Sequence, residues 1–94
     1  MKAIWKKQIL AESNNTIVVE KNHYFPPSSL KIDFFVPTST TTHCPWKGDA
    51  SYYSIVVENE ENKDAAWYYP LPKDAAIQIK DHVAFWRGVT IEDN

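Results

Sequence analysis

Ala50-Ser51-Tyr52-Tyr53-Ser54-Ile55-Val56-Val57 is the most strand-like run in the chain, and the rest of the fold is built outward from it. Aromatic and β-branched side chains suit a pleated, half-buried surface. Successive residues of a strand point to opposite faces, so Tyr52, Ser54 and Val56 share one face and Tyr53, Ile55 and Val57 the other. Both faces carry side chains fit for packing. Downstream, the polar residues 58–63 turn the chain back into Asp64-Ala65-Ala66-Trp67-Tyr68-Tyr69, which makes an antiparallel pair with the first strand. Pro70-Leu71-Pro72 ends that second strand. Residues 73–80 place Ala76, Ile77 and Lys80 at helical spacing after a proline, giving a short amphipathic helix of about two turns. Residues 82–92 read as a further strand, with a bulge at Trp86-Arg87-Gly88.

Upstream, residues 2–12 read as a hairpin around Lys6-Lys7. Ser13-Asn14-Asn15 is turn chemistry, and the β-branched residues 16–20 form a third strand. Residues 21–45 are the least regular, with Pro26, Pro27, Pro37 and Pro45 and a threonine-rich run over 38–42. A short helix over 30–34, with Leu30, Phe34 and Phe35 turned inward, is expected there, followed by a structured loop laid over the sheet.

Ninety-four residues hold one domain, spanning 1–94. Four Trp, five Tyr and four Phe supply large buried surfaces, so a core without disulfides is expected. The formal charge of −2 argues against a dedicated nucleic-acid or anionic-membrane binder, whose electrostatic footprint is basic. Cys44 is the one cysteine, which excludes an intrachain disulfide and points to a reducing, cytoplasmic setting. Met1-Lys2-Ala3-Ile4-Trp5-Lys6-Lys7 lacks the apolar run of a secretory signal, so it is expected to enter the fold. No stretch reaches the roughly 18 apolar residues of a membrane span, so no membrane partner is expected.

Four stretches together resemble one family, the bacterial and fungal domain of unknown function 427, which carries a nucleotidyltransferase label. They are Glu20-Lys21-Asn22-His23-Tyr24-Phe25-Pro26; Thr42-His43-Cys44-Pro45-Trp46-Lys47-Gly48-Asp49-Ala50-Ser51-Tyr52-Tyr53; Asp64-Ala65-Ala66-Trp67-Tyr68-Tyr69; and Ile79-Lys80-Asp81-His82-Val83-Ala84-Phe85-Trp86. The signature is a Cys-Pro-aromatic-Lys-Gly turn running into a Tyr-Tyr strand, with Trp67, Tyr69 and Pro72 downstream. The resemblance implies a mainly β domain of bent antiparallel sheets, similar to Mss4-like or β-tent folds, with one or two short helices. Relatives of that wider fold often hold zinc through paired cysteines, which this chain lacks. The family's function is unestablished, so chemistry has to come from the residues.

Nucleotidyl transfer calls for carboxylates that hold magnesium and commonly for a glycine-rich phosphate loop. Asp33, Asp49, Asp64, Asp74, Asp81 and Asp93 stand singly, no such loop exists, and Glu58-Asn59-Glu60-Glu61 reads as a solvated hairpin tip. One cysteine with scattered His23, His43 and His82 lacks zinc-site spacing. No metal and no cofactor are expected. Cys44 is the candidate catalytic residue: Lys47 could favour its thiolate, while His23 or His82 would have to arrive as base through the fold. Against this, a free cysteine is most often a packing residue.

What remains is an aromatic and cationic grouping, Tyr24, Trp46, Lys47, Tyr52, Trp67, Tyr69 and Arg87, with Glu20 and His23 on the first matching stretch. Ligand pockets are mostly apolar or aromatic with a few convergent polar groups. The expectation is a non-catalytic small-molecule-binding module: Lys47 and Arg87 as charge partners, Tyr52 and Trp67 as walls, Tyr24 and Tyr69 beside them, and Glu20 or His23 as polar orienters. A small cysteine-dependent enzyme and a structural or protein-interaction domain, including a homodimer through an open sheet edge, stay as alternatives. Base stacking on exposed aromatics is disfavoured because the lysines are interleaved with acids.

Overall fold

A computed structural model describes residues 1–93; the last residue of the expected domain, 94, lies outside the described residues. Among the described residues nine strands follow in order: β1 (Lys2–Trp5), β2 (Gln8–Glu12), β3 (Ile17–Val19), β4 (Asn22–Tyr24), β5 (Phe35–Cys44), β6 (Gly48–Val57), β7 (Glu60–Tyr68), β8 (Val83–Phe85) and β9 (Thr90–Glu92). They make three antiparallel sheets, ordered β2-β1-β9, β3-β4 and β5-β6-β7-β8. The fold is mainly β, as expected. Paired hydrogen bonds between Phe25 and Val83 (2.8 and 2.9 Å) fasten the chain just beyond β4 to the β8 edge of the large sheet.

The two faces of β6 explain the architecture. Ile55 and Val57 pack with Ala3, Leu10, Phe25, Phe35, Val83 and Phe85, so one face of the large sheet closes against β1 and β2. Ala50 and Tyr52, on the opposite face, pack with Tyr24, Tyr69, Ala76, Ile79 and Ala84. One strand thus serves two cores, which accounts for its aromatic and β-branched residues on both sides.

Three hairpins turn on two residues each, Lys6-Lys7, Glu20-Lys21 and Glu58-Asn59, and all six residues take positive φ. Two-residue hairpins require this left-handed geometry to match strand twist, and Gly or Asn normally supplies it. Asn59 fits that rule; with only Gly48 and Gly88 in the chain, lysine and glutamate carry the cost at the other five positions. Exposed Lys7 (φ 64) is the simplest place to relieve it. Lys7→Gly is expected to raise stability by about 0.5–1 kcal/mol, the left-handed penalty less the entropy of glycine. Thermal unfolding checks this; a lower melting temperature would contradict it.

Four segments differ from expectation. Residues 35–44, expected as a loop, form the ten-residue strand β5. Threonine is β-branched and suits a strand, and Pro37 is tolerated because β5 is an edge strand. Residues 73–80 hold a 3₁₀ segment, Asp74–Ile79, broken at Ala76 (φ −122). Ala76 and Ile79 are its buried residues, a spacing of three that matches the 3₁₀ turn, while Ile77 is exposed. Residues 82–92 split into β8 and β9, which belong to different sheets. The expected helix over 30–34 shrinks to a 3₁₀ turn, Ile32–Phe34, after another at Pro27–Ser29.

The large sheet is bent by paired bulges. Pro37 pairs with Tyr53 and Thr41 with Ser51, so Thr38, Ser39 and Thr40 crowd opposite Tyr52 alone. On the other side, Tyr53 pairs with Ala66 and Ile55 with Asn62, so Lys63, Asp64 and Ala65 crowd opposite Ser54. Surplus residues on both flanks of β6 bend and twist the sheet locally. The Asp64 carboxylate spans the two bulges, accepting hydrogen bonds from Thr38 Oγ1 (2.7 Å) and Thr40 Oγ1 (2.8 Å). Its backbone N–H donates to Ser54 Oγ (3.1 Å), and its carbonyl accepts from Trp86 Nε1 (2.6 Å).

Candidate functional site

The β5–β6 hairpin turns through Pro45-Trp46-Lys47 between the paired residues Cys44 and Gly48. Gly48 sits at φ +111, and a Cβ there would lie 3.3 Å from the Leu71 carbonyl oxygen. Glycine therefore lets the chain beyond Pro70 press against the turn. Lys73 secures that contact twice, through its N–H to the Lys47 carbonyl (2.9 Å) and its Nζ to the Pro45 carbonyl (2.7 Å). A turn pinned in this way aims the Lys47 side chain inward, where it is 8% exposed.

Among the described residues Lys47 is the buried cation, and its partners are specific. Its ammonium donates to the Glu20 carboxylate, which reaches over from the β3–β4 turn. It also lies 5.2 Å from the Trp46 ring centroid and 5.7 Å from that of Tyr69. Burial works against the charged amine, but the Glu20 hydrogen bond, with Tyr24, Tyr69 and Cys44 nearby, prevails and raises its pKa. The Glu20 carboxyl is pulled below its ordinary value chiefly by the Lys47 hydrogen bond, with burial opposing. The two groups form a closed ion pair whose net charge is zero.

Lys47, Tyr52, Trp67, Tyr69 and Trp86 line a hollow of roughly 200 Å³. Tyr52 and Trp67 are directly paired across β6 and β7 and so stand on one face of the sheet. Trp86 continues the Ala84 face of β8, and its ring meets Trp67 edge-on at 5.9 Å. Most polar atoms of the walls are already engaged. Trp67 Nε1 donates to the Tyr24 hydroxyl (3.2 Å), Trp86 Nε1 to the Asp64 carbonyl, and the Tyr52 hydroxyl is bonded to Thr42 Oγ1 (3.0 Å). The Tyr69 hydroxyl has no hydrogen-bond partner among the described residues and is not sealed from solvent. Burial pushes its pKa up to about 12, so it stays a protonated donor at neutral pH. Lys47, Tyr69 and the remaining valence of the Tyr52 hydroxyl are thus what the walls have left to offer a hydrogen-bonding ligand.

Of the residues singled out from sequence, Lys47, Tyr52, Trp67 and Tyr69 converge on the hollow, and Glu20 holds Lys47 in place. Tyr24 is fully buried behind Trp67, meeting it edge-on at 6.3 Å. Two others stand apart from the lining. His23 alternates with Tyr24 along β4 and bonds Thr16 Oγ1 through Nδ1 (3.1 Å). Exposed Arg87 stacks 4.4 Å from the Trp86 ring centroid, at the rim. Trp86 was missed; alternation from Ala84 along β8 would have found it.

Cys44 is partly buried and packs against the Tyr24 core. The three histidines have other partners: His23 as described, His43 with Asp49 Oδ1 (2.7 Å) and His82 with the Lys80 carbonyl (2.9 Å). A second hollow, roughly 280 Å³, lies by Leu71, His43 and Lys73, but the His43–Asp49 pair there is largely exposed. Its larger volume comes with fewer buried polar groups, so the Lys47 hollow is the better candidate.

Over residues 1–93 the sequence matches the family described as domain of unknown function DUF427. The chain belongs to that family. The nucleotidyltransferase label attached to the family is a name only and assigns no chemistry. No curated protein matches the chain. No described helix is long and apolar enough to cross a membrane.

Proposed function

We propose that this DUF427 domain is a non-catalytic binding module for a small carbonyl-bearing or anionic metabolite, held in the hollow between Lys47 and the Tyr52, Trp67, Tyr69 and Trp86 rings. The observation that carries this is an almost fully buried ammonium placed beside aromatic walls on which the Tyr69 hydroxyl is left without a partner among the described residues. Burying a charge is expensive unless it is paired, and a surface lysine would serve packing or solubility at no such cost. The unpaired Cys44 suits a reducing, cytoplasmic setting.

The test is a co-purification screen: metabolites retained by the folded protein are identified by mass spectrometry and their affinities measured. Lys47→Ala and Trp67→Ala are each expected to weaken binding at least about tenfold, the loss of one hydrogen bond to a charged group or one aromatic wall. If both variants fold and bind every retained metabolite as the parent does, the ligand does not occupy this hollow.

A further inference from the structure

We propose that the hollow selects an uncharged single-ring aromatic carrying a carbonyl, an aromatic amide or lactam, and discriminates against the corresponding carboxylate. This rests on the small-molecule reading above and narrows it by size, shape and charge. A cavity of about 150 Å³ accepts benzene, so roughly 200 Å³ has room for one ring with a small substituent. Four of the five lining side chains are aromatic, which favours a flat ring stacked or edged against them.

Charge decides the substituent. Glu20 already neutralises Lys47, so a ligand carboxylate in the hollow would meet an ion pair of zero net charge and no unpaired cation among the lining residues, Arg87 standing outside at the rim. Such a carboxylate would lose its hydration without a free counter-charge to offset the loss. A neutral carbonyl oxygen meets no such opposition and can accept from the Tyr69 hydroxyl or from the N–H groups of Lys47 not directed at Glu20. A cationic amine would find the aromatic faces attractive, yet it would stand against the Lys47 ammonium itself.

The probes are benzamide, benzoate and benzylamine, titrated against the full chain while the indole N–H signals of Trp67 and Trp86 are followed by NMR. Benzamide is expected to shift both signals and to bind at least about tenfold more tightly than benzoate or benzylamine. In Glu20→Gln the ammonium loses its internal counter-charge. Benzoate should then tighten by about tenfold or more while benzamide changes less than about threefold. Glu20 is about half exposed on its turn, and circular dichroism would show whether the variant folds; the ranking in the parent protein stands on its own in either case. Benzoate equal to or tighter than benzamide in the parent overturns the charge selection and leaves the hollow's binding role intact. Failure of all three probes, alongside retained metabolites lost on Lys47→Ala, overturns the proposed class alone. An unchanged benzoate affinity in folded Glu20→Gln would likewise refute the role given to Glu20.

Discussion

Asp64→Ala is expected to cost about 3 kcal/mol, from two hydrogen bonds to a charged group lost and a left-handed backbone position handed to alanine. For a domain of this size that lowers the melting temperature by about 12–24 °C. Asp64 holds φ 54, which aspartate and asparagine tolerate better than alanine, and is 8% exposed. Its carboxylate joins the two bulges across β6, so its removal leaves the Thr38 and Thr40 hydroxyls without their acceptor and frees the bend. Asp64→Asn keeps the backbone preference and one acceptor oxygen, and should lose less than half as much. Equal melting temperatures for parent and alanine variant would show that the bend holds without this staple.

The same residue gives a pH signature. Donation by the Thr38 and Thr40 hydroxyls holds the Asp64 carboxyl below its ordinary value, with Lys63 and Arg87 adding to this and burial opposing. A carboxyl depressed in the folded state contributes stability that is fully present above the unfolded value of about 3.9 and is lost as pH falls through the folded one. The difference between parent and Asp64→Asn should therefore be constant near neutrality and narrow below about pH 4. A gap that widens on acidification would assign the opposite sign to the interaction.

Asp64 also shows why part of the molecule was illegible in sequence. The strands β6 and β7 announce themselves through Tyr52, Tyr53, Ile55 and Trp67, because period-two patterning is local and needs no partner. A bulge is different: it exists only relative to the register of a neighbouring strand, so a lone Asp64 and a threonine run twenty-odd positions away carry no visible link. The Thr38–Thr40 run consequently reads as loop. Lys47 and Trp67 were recoverable from residue type, since a lysine in a Cys-Pro-Trp-Lys-Gly turn beside tyrosines suggests a site. Glu20 was singled out as a polar orienter, but its pairing with Lys47 was not legible, because it reaches the lysine only through the docking of a separate two-stranded sheet. Arg87 shows the same limit: its neighbour Trp86 lines the hollow and leaves the guanidinium at the rim.

The remaining large effect belongs to Tyr24, where core and site meet. Tyr24→Ala should destabilise the chain by about 4 kcal/mol, the range for emptying a fully buried aromatic position, and would also strand the Trp67 indole N–H. Such a loss can unfold a domain this small, so Tyr24→Phe is the informative partner. It keeps the edge-on ring contact with Trp67 and removes only the hydroxyl that accepts from Nε1, costing about 1–2 kcal/mol. Because Trp67 is a wall of the hollow, releasing its indole should let the ring reorient, and benzamide affinity should fall several-fold with the fold intact. Chemical denaturation and the indole NMR signal of Trp67 read the two effects separately. If Tyr24→Phe loses stability but binds benzamide as tightly as the parent, Tyr24 serves the core alone, and the orientation of Trp67 is set by its contacts with Tyr52 and Trp86 instead.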